Sequence, residues 1–482
     1  MTNSGVEAPS SLRESNQETL AGAPEQWSVR DPSSGWGQAC LLAALGLALR
    51  LAIAIWGSAR FPPSDDGSFY HVVAQRIAQG FGYTWLWPDG SVTYAAHYPV
   101  GYPGMVGAAY AVFGHLPLVA MCLNACVGAL GVLAVHRLLH AEANSRVAWI
   151  GGLAVALNPT LLFYTPALMT EGVVAAGLAL LAWACVPRAD LRGLWLWLLT
   201  VGSLGGLLTL LRPQSLLLVA ALAFVSAHRE RWFLRAGRAL AVTIIACAVC
   251  LPWTLRNCER LERCVLVSAN GGWNLLIGTS EKAQGGWISV DEMGVPEKCR
   301  NVFQEAHKDA CFGHAGVTRI LQDPIAWLRL VPSKLGNTFN YATPAAYYLG
   351  AANSNAFPEA PRTWLGAAEL LSTRLATGAA LMACGRRRIS GRKWRWWLML
   401  GGVLALVTPW AWLSFVCLAI LGLFSGSTVG RFAGATVAVT ALTHAVFFGA
   451  SRYALVCLPL LIALAAQVLR SKDAESPRQL VS

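Results

Sequence analysis

Charged side chains are scarce in this chain. Of 482 residues, 37 are Lys or Arg and 25 are Asp or Glu, so that 13% are charged, about half the share in an average soluble domain. Apolar residues make up 55% of the chain, and the mean hydropathy is +0.48. These values exclude a soluble enzyme, a disordered protein and a nucleic-acid-binding domain whose basic charges face water. Most of the chain is therefore expected to lie in lipid.

The pattern of a cleaved signal peptide is also lacking. Residues 1–35 are polar and rich in Ser, Glu and Pro, without a basic stretch followed by an apolar run. We predict a flexible cytoplasmic tail over 1–35, a transmembrane domain over 36–470 and a second cytoplasmic tail over 471–482.

A helix needs about 20 apolar residues to cross the hydrocarbon core of a membrane. Apolar segments closed by Pro, Gly or clustered charges predict about twelve such helices. They lie near 36–56, 116–139, 146–163, 166–186, 193–211, 213–227, 238–255, 364–384, 394–409, 410–424, 432–449 and 453–469. The stretch 394–424 holds either one long tilted helix or two short helices broken at Pro409. The predicted fold is an all-α polytopic membrane protein.

The net charge of +12 reports topology first, because cytoplasmic loops retain Lys and Arg. With the N-terminus inside, the basic clusters all fall on the cytoplasmic side. They comprise Arg137, Arg146, Arg188, Arg192, Arg229, Arg231, Arg235, Arg238, Arg386, Arg387, Arg388, Arg392, Lys393, Arg395, Arg470 and Lys472. The long polar loops 58–104 and 256–362 then face outward. We expect extracytoplasmic chemistry and no nucleic-acid partner.

Four of the 13 cysteines lie outside the apolar segments, all in the second outer loop: Cys258, Cys264, Cys299 and Cys311. An oxidising location favours two disulfide bonds among them, and reduced thiols are the alternative. A zinc site that combines the first two with His307 or His314 has the wrong spacing for a compact zinc finger.

The first outer loop contains the adjacent carboxylates Asp65 and Asp66. Apolar side chains follow at helical spacing, at Phe69, Val72, Val73 and Ile77. This predicts an amphipathic helix along the membrane surface, with Ser68 able to cap it. The carboxylates then either cap the helix in a solvated turn or form a site that abstracts a proton or recruits a divalent cation.

Several motifs follow one another along the chain. Asp66 lies about one turn before Tyr70, and the same loop later reads Tyr98-Pro99-Val100-Gly101-Tyr102-Pro103. Other elements are Asn158-Pro159, Thr170-Glu171, Leu211-Arg212-Pro213, Pro252-Trp253-Thr254-Leu255-Arg256-Asn257, Asn270-Gly271-Gly272-Trp273-Asn274 and Ser451-Arg452-Tyr453. In their order, over about residues 38–470, they resemble the dolichyl-phosphate-mannose protein mannosyltransferase family and the bacterial aminoarabinose transferases. The resemblance implies the GT-C fold of membrane glycosyltransferases that use polyprenyl-phosphate sugars.

The resemblance makes Asp66 the catalytic carboxylate, by its offset to Tyr70. Gly67 stands where that family often has Glu, so Asp65 is the candidate for the second carboxylate. The aminoarabinose branch has Glu-Lys-Pro where this chain has His97-Tyr98-Pro99, so no Lys contact to phosphate carries over. His97 either replaces that Lys, as a cation or metal ligand, or is structural.

Ionisable residues inside the predicted spans need a partner or a cavity. Glu171 either lines the site or pairs with Arg50, the basic residue inside the first span. Arg212, Arg256 and Arg452 lie at the outer ends of spans, where they converge on a lipid-linked phosphate or act singly as interface anchors. The turn at Gly271-Gly272 is followed by Trp273 and Asn274. These two residues either form a sugar-binding face or lid, or belong to an ordinary turn without a role in binding.

The sequence thus predicts a multi-pass glycosyltransferase of the bacterial inner membrane with its site on the periplasmic face. It moves a sugar, with inversion, from a polyprenyl-phosphate donor to a hydroxyl of a protein, lipid or glycan. A divalent cation held by Asp65 and Asp66 is an option, because Arg can neutralise a monophosphate without one. The alternative function is a transporter or flippase of lipid-linked sugars, although no inverted repeat is visible.

Overall fold

The computed structural model describes residues 34–186, 191–386 and 393–470. The predicted tails, apart from Ser34 and Gly35, lie outside the described residues, as do Arg188, Arg387, Arg388, Arg392 and Lys472. The side chains of Arg192 and Arg386 also lie outside them.

The first part of the chain contains seven helices and one hairpin. They are α1 (Trp36–Ser58), α2 (Asp66–Ala78), β1 (Thr84–Leu86), β2 (Val92–Tyr94), α3 (Gly101–Phe113), α4 (Pro117–Glu142), α5 (Ser145–Leu157), α6 (Pro159–Phe163) and α7 (Thr170–Ala184). The two strands pair antiparallel, with Thr84 opposite Tyr94. The hairpin and α2 lie in the predicted first outer loop, and the helix predicted there is present.

The second part is helical throughout its regular structure in the described ranges. Its helices are α8 (Leu191–Leu211), α9 (Ser215–Ser226), α10 (Trp232–Arg260), α11 (Gly271–Gly278), α12 (Glu297–Arg300), α13 (Glu305–Gln322), α14 (Pro324–Arg329), α15 (Val331–Phe339), α16 (Pro344–Ala352), α17 (Glu359–Arg386), α18 (Trp394–Ala405), α19 (Trp412–Leu423), α20 (Thr428–Val446) and α21 (Leu458–Ala466). A 3₁₀ helix, Ser451–Cys457, precedes α21.

The helical prediction is confirmed, and the number of full-length spans differs from it. Six helical segments in the described ranges are long and apolar enough to cross a membrane: Trp36–Ser58, Pro117–Glu142, Gly193–Leu211, Trp232–Arg260, Thr428–Val446 and Ser451–Leu469. Four apolar helices are shorter: Ser145–Leu157, Thr170–Ala184, Ser215–Ser226 and Trp412–Leu423. Each of these four also has buried side chains, so packing against neighbouring helices contributes to its stability.

Two of the predicted segments are divided near a proline. Pro159 has no N–H for the helix ladder, so the predicted 146–163 segment divides into α5 and α6, and the Asn158 side chain accepts from the Leu161 N–H at 3.1 Å. The 394–424 stretch likewise forms two short helices, α18 and α19, on either side of Pro409.

The main core lies between the long helices. α4 packs against α1, α5 and α7, and α21 packs against α17. A second, smaller core belongs to the second outer loop and contains Leu276, Ile277 and Phe312. Phe448 and Tyr453, from the segment between α20 and α21, complete this small core. The second outer loop therefore packs directly on the segment between α20 and α21.

Both predicted disulfide bonds are present. Cys258 pairs with Cys264 at the end of α10. Cys299 pairs with Cys311 and ties α12 to α13 beside the small core. The zinc alternative is wrong, because the thiols that it needs are bonded to each other.

Candidate active site

Asp66 is the first residue of α2. The chain reaches it through Asp65, whose φ of 51° produces a sharp turn. Gly67 lies close to α16 and to the segment that precedes α7. A Cβ at this position would stand 3.0 Å from the Tyr348 hydroxyl and 3.1 Å from the Leu168 carbonyl oxygen. A larger residue at Gly67 would therefore require its neighbours to shift by a few tenths of an ångström.

Ser68 does not cap this helix, contrary to the prediction. α2 begins two residues earlier, at Asp66, because the turn at Asp65 already supplies the change of direction. The Ser68 hydroxyl lies inside the first turn and donates to the carbonyl oxygen of Pro63 at 2.8 Å.

The Asp66 carboxylate is held on both oxygens. Its Oδ1 accepts from the Tyr98 hydroxyl at 2.7 Å, and its Oδ2 is 2.9 Å from Nη1 of Arg452. The side chains of Asp66 and Arg452 remain 22% and 28% exposed. This ion pair is thus formed in the resting site and is accessible to a ligand.

The neighbouring Asp65 does not join this arrangement. Asp65 is exposed. Within the described ranges its carboxylate takes part in no ion pair or side-chain hydrogen bond. The two adjacent acids therefore have different surroundings. Its predicted part as a second carboxylate or metal ligand remains a prediction.

Glu171 lies in the first turn of α7 and is buried. Its Oε1 is 2.9 Å from Nη1 of Arg212 and 3.4 Å from Nε of Arg452. Its Oε2 accepts from the Tyr164 hydroxyl at 3.2 Å. Sequence reasoning placed Glu171 in the site and gave no signal for Tyr164.

The alternative pairing of Glu171 with Arg50 is wrong. The Arg50 guanidinium donates to the carbonyl oxygens of Gly46 at 3.1 Å and Val155 at 3.3 Å. The Val155 carbonyl lacks its usual helical donor, because Pro159 stands four residues further on. Arg50 thus compensates the break between α5 and α6.

The four charged groups alternate in sign: Asp66, Arg452, Glu171 and Arg212. Arg452 is the central member, because it contacts both carboxylates. The Tyr453 ring lies against both cations, 4.7 Å from Cζ of Arg212 and 5.4 Å from Cζ of Arg452. Two guanidinium groups are therefore fixed at one end of the helix bundle by two carboxylates and one aromatic ring.

Arg256 is not brought to this cluster. Its guanidinium donates to the carbonyl oxygens of Tyr83 and Ala95, each at 2.8 Å, and lies 4.6 Å from the Trp253 ring centroid. These contacts fasten the hairpin of the first outer loop to α10. Only two of the three predicted arginines converge.

An aromatic cluster lies beside Asp66. The Tyr70 ring lies 5.2 Å from the Tyr98 ring and 5.4 Å from the Tyr102 ring. Burial and the Asp66 charge raise the pKa of Tyr98 well above its usual value. Tyr98 therefore keeps its proton and remains a hydrogen-bond donor to Asp66.

His97 packs between aromatic rings, 4.7 Å from Tyr98 and 5.2 Å from Trp273. Burial lowers the pKa of His97 to about 4, so the ring is neutral at neutral pH. Its backbone N–H donates to Oε2 of Glu305 at 2.8 Å. These contacts favour the structural interpretation of His97 over the cationic one, and Glu305 gave no signal in the sequence.

The turn at 270–274 contributes Trp273 to this aromatic wall. The Trp273 N–H donates to Oδ1 of Asp309 on α13 at 2.8 Å, which ties the turn to the second outer loop. Asn274 lies one position further in α11, where its N–H donates to the Asn270 carbonyl at 3.0 Å. Trp273 packs against His97, and the next residue, Tyr98, donates to Asp66.

A divalent cation held by Asp65 and Asp66 remains a prediction, and the carboxylate of Asp66 has other partners in the structure. Both carboxylate oxygens are taken by Arg452 and Tyr98, and the described residues contain no group of three or more His, Cys, Asp or Glu side chains placed to hold a metal ion. The charge that balances Asp66 is a guanidinium.

Comparison with known proteins gives similarity to solved structures alone. No protein-family model matches the chain, and no curated protein matches it. It is similar to apo ArnT from Cupriavidus metallidurans, with 15% identity over 91% of this chain and 78% of that one and a TM-score of 0.39. The same protein bound to undecaprenyl phosphate gives 14% identity, the same coverage and a TM-score of 0.39.

A second similar structure is the archaeal oligosaccharyltransferase AglB from Archaeoglobus fulgidus, in complex with an inhibitory peptide and a dolichol-phosphate. The identity is 14%, the TM-score is 0.39, and the match covers 82% of this chain and 58% of that one.

Proposed function

We propose that this chain is an integral-membrane glycosyltransferase of the GT-C type. It transfers one sugar from a polyprenyl-phosphate donor to a hydroxyl group of an acceptor. The observation that carries the proposal is the bifurcated contact of Arg452, which binds Asp66 and Glu171 at once. The motifs around these residues support it independently.

The arrangement suits inversion in a single displacement. The acceptor oxygen attacks the anomeric carbon and gives its proton to Asp66, while the bond from that carbon to the phosphate oxygen breaks. The phosphate leaves with the electron pair, and the guanidinium groups of Arg452 and Arg212 stabilise its growing negative charge. Bidentate donors match phosphate geometry better than an ammonium group does.

The resting ion pair gives this reaction an order of events. The donor phosphate competes with Asp66 for Nη1 of Arg452, so binding of the donor releases the carboxylate. Glu171 keeps its contact with Arg212 and holds that cation in place. Asp66 is then available as a base only when a phosphate is present.

We propose that the reaction needs no divalent cation, because arginine neutralises the phosphate. Transfer rates with and without EDTA test this. Equal rates support the proposal, and a loss of activity that Mg²⁺ or Mn²⁺ restores contradicts it.

We also propose that the site faces the periplasm and that the protein lies in the bacterial inner membrane. Cysteines introduced at Asp89 and Lys282, both exposed in the outer loops, are expected to react with an impermeant maleimide in intact cells. A cysteine at the exposed Arg231, between α9 and α10, is the matched control and is expected to react only after lysis. The reverse pattern would overturn the topology.

The activity itself is tested with purified protein and a panel of polyprenyl-phosphate sugars. The measurement is release of free polyprenyl phosphate that depends on an added acceptor: a peptide, a lipid or a glycan. Cleavage with one donor and one acceptor supports the proposal. Movement of intact donor across vesicles without cleavage would establish the transporter alternative instead.

A further inference from the structure

Lys334 is a buried cation outside the cluster of four charges. It lies on α15 and is 0% exposed. Its ammonium group donates to the carbonyl oxygens of Ala445 at 3.1 Å and Val446 at 3.2 Å. These are the last two residues of α20, where carbonyls lack donors within the helix and a positive charge is favourable. In the described part of the chain no carboxylate pairs with Lys334.

The next residues form the turn that leads to Arg452. Within this turn the Gly449 N–H donates to the Gly285 carbonyl oxygen at 2.9 Å. A Cβ on Gly449 would stand 2.7 Å from Oγ1 of Thr338 and would overlap the backbone carbonyl of Lys334. The turn is thus pressed against α15 on the side that carries Lys334.

Arg452 follows this turn after two residues. The ring of its neighbour Tyr453 stacks on His444 of α20, with centroids 4.1 Å apart. His444 in turn bonds through Nδ1 to the Phe448 carbonyl oxygen at 2.8 Å. Contacts therefore connect the end of α20, the turn and the 3₁₀ helix to one another. Lys334 binds the first of these elements, at the last two carbonyls of α20.

We propose that Lys334 is a positioning residue for Arg452: by binding the last carbonyls of α20 it fixes the turn that places the Arg452 guanidinium against Asp66 and Glu171. This inference rests on the proposed function for its effect on turnover. Its effect on the structure of the turn can be measured without any substrate.

The ammonium form is the one that holds the turn, because a charged donor makes a shorter and stronger hydrogen bond than a neutral amine. Burial lowers the pKa of Lys334 to about 8. The elements packed against α15 carry these titratable or charged groups: Arg329 on α14, Cys417 on α19, Arg431 and His444 on α20, and Arg452, Tyr453 and Cys457 on the 3₁₀ helix. The Trp327 ring lies 5.0 Å from the ammonium nitrogen. Turnover is therefore expected to fall as the pH rises through about 8.

The experiment compares Lys334→Met, Lys334→Arg and, as the matched control in the same outer loop, Lys282→Met at an exposed lysine. Hydrogen exchange of residues 445–453 is measured on the full-length protein without substrate. We expect at least tenfold faster exchange there in K334M and no change in K282M. We also expect kcat to fall in K334M, with K282M unchanged.

Lys334→Arg keeps the charge at all accessible pH values, so it should retain turnover at pH 7 and lose the alkaline fall near pH 8. A purely structural contribution would not move this limb of the pH profile. Unchanged exchange in K334M, or an alkaline fall that persists in K334R, would overturn the inference. If K334M does not fold, K334R and the wild-type pH profile decide it.

The two proposals fail separately. Faster exchange of 445–453 in K334M with no transfer activity in the wild type would refute the proposed function and support the positioning of the turn. Normal wild-type transfer with unchanged exchange and kcat in K334M would refute the positioning alone.

Discussion

Arg452 is bound to Asp66 through one guanidinium nitrogen, Nη1, while its Nε faces Glu171. The two carboxylates come from the first outer loop and from α7, so a single side chain near the end of the chain joins them. A cation shared in this way can exchange one anionic partner for a phosphate without losing the other. Under the proposed function, the pair is the resting state of the site.

Replacing Arg452 by Lys is expected to lower kcat about 10²- to 10³-fold, the usual cost of removing one donor to developing negative charge. An ammonium group is a compact point charge and cannot supply the planar fork that spans Asp66 and Glu171. The measurement is steady-state transfer at saturating donor. Arg260→Lys, at a largely exposed ion pair with Glu259, is the control, and equal turnover of the two variants would contradict the assignment.

Glu171→Gln removes a buried negative charge and leaves Arg212 without a carboxylate. Breaking one partner of a buried pair costs about 3–5 kcal/mol, so a clear drop in thermal stability is expected in detergent. Adding Arg212→Gln should recover part of the loss, because the uncompensated cation is gone.

The control for this pair is Glu230→Gln, which breaks the partly exposed bridge to Arg238. A bridge of that kind contributes about 1 kcal/mol or less. Similar losses for E171Q and E230Q, or no recovery in the double variant, would show that Glu171 is not balancing the two arginines.

Because the pKa of His97 is lowered, we expect this residue to make the folded protein less stable in acid. Its pKa is near 4 in the folded protein and about 6.5 when the chain is unfolded, so the unfolded state binds more protons between these values. Stability from this group is therefore present above about pH 6.5 and is lost as the pH falls toward 4.

The measurement is the melting temperature at pH 7.5 and pH 5 for wild type and His97→Gln. The variant should lose less on acidification than the wild type, whereas His307→Gln, at an exposed position of α13, should lose as much. A variant that loses as much as the wild type would show that His97 is not the buried neutral group.

The Cys299–Cys311 bond supports the small core that reaches Tyr453. Replacing both cysteines by Ala removes the constraint on a loop for which about 3 kcal/mol is typical. We expect faster proteolysis of residues 281–322 under native conditions. The Cys258→Ala, Cys264→Ala pair is the control, since that bond lies outside this core, and equal proteolysis of both variants would contradict the account.

The helices were predictable because apolar runs end at visible Pro, Gly and charge signals. The break at Pro409, one of the two alternatives for 394–424, appears in the structure. The break at Pro159 divides a segment that was predicted as one helix. Span length was not predictable in the same way. A short helix such as α7 gains stability from the helices around it, and this burial is a property of the tertiary fold.

The site likewise has residues that the sequence could identify and contacts that only the tertiary fold shows. Asp66 and Glu171 were found from motifs and from their place near predicted outer ends. Arg212, Arg256 and Arg452 were predicted to converge, and two of them do. The separate position of Arg256 was not predictable, because only the path of the chain at 83–95 gives it carbonyl acceptors. Lys334, Tyr164 and Glu305 belong to no periodic pattern. Lys334 and Glu305 bond to segments distant in sequence, and Tyr164 reaches Glu171 across the turn that precedes α7.

The most direct test of the proposed function is Asp66→Asn in a donor-dependent transfer assay with purified protein. Asn keeps the shape and the hydrogen bond from Tyr98 and cannot accept the proton of the acceptor hydroxyl. The account predicts a fall in kcat of about 10²- to 10⁴-fold, the range for loss of a general base, with an unchanged elution profile and with the exposed-loop variant Asp89→Asn as active as the wild type. Normal turnover by well-folded D66N would contradict it.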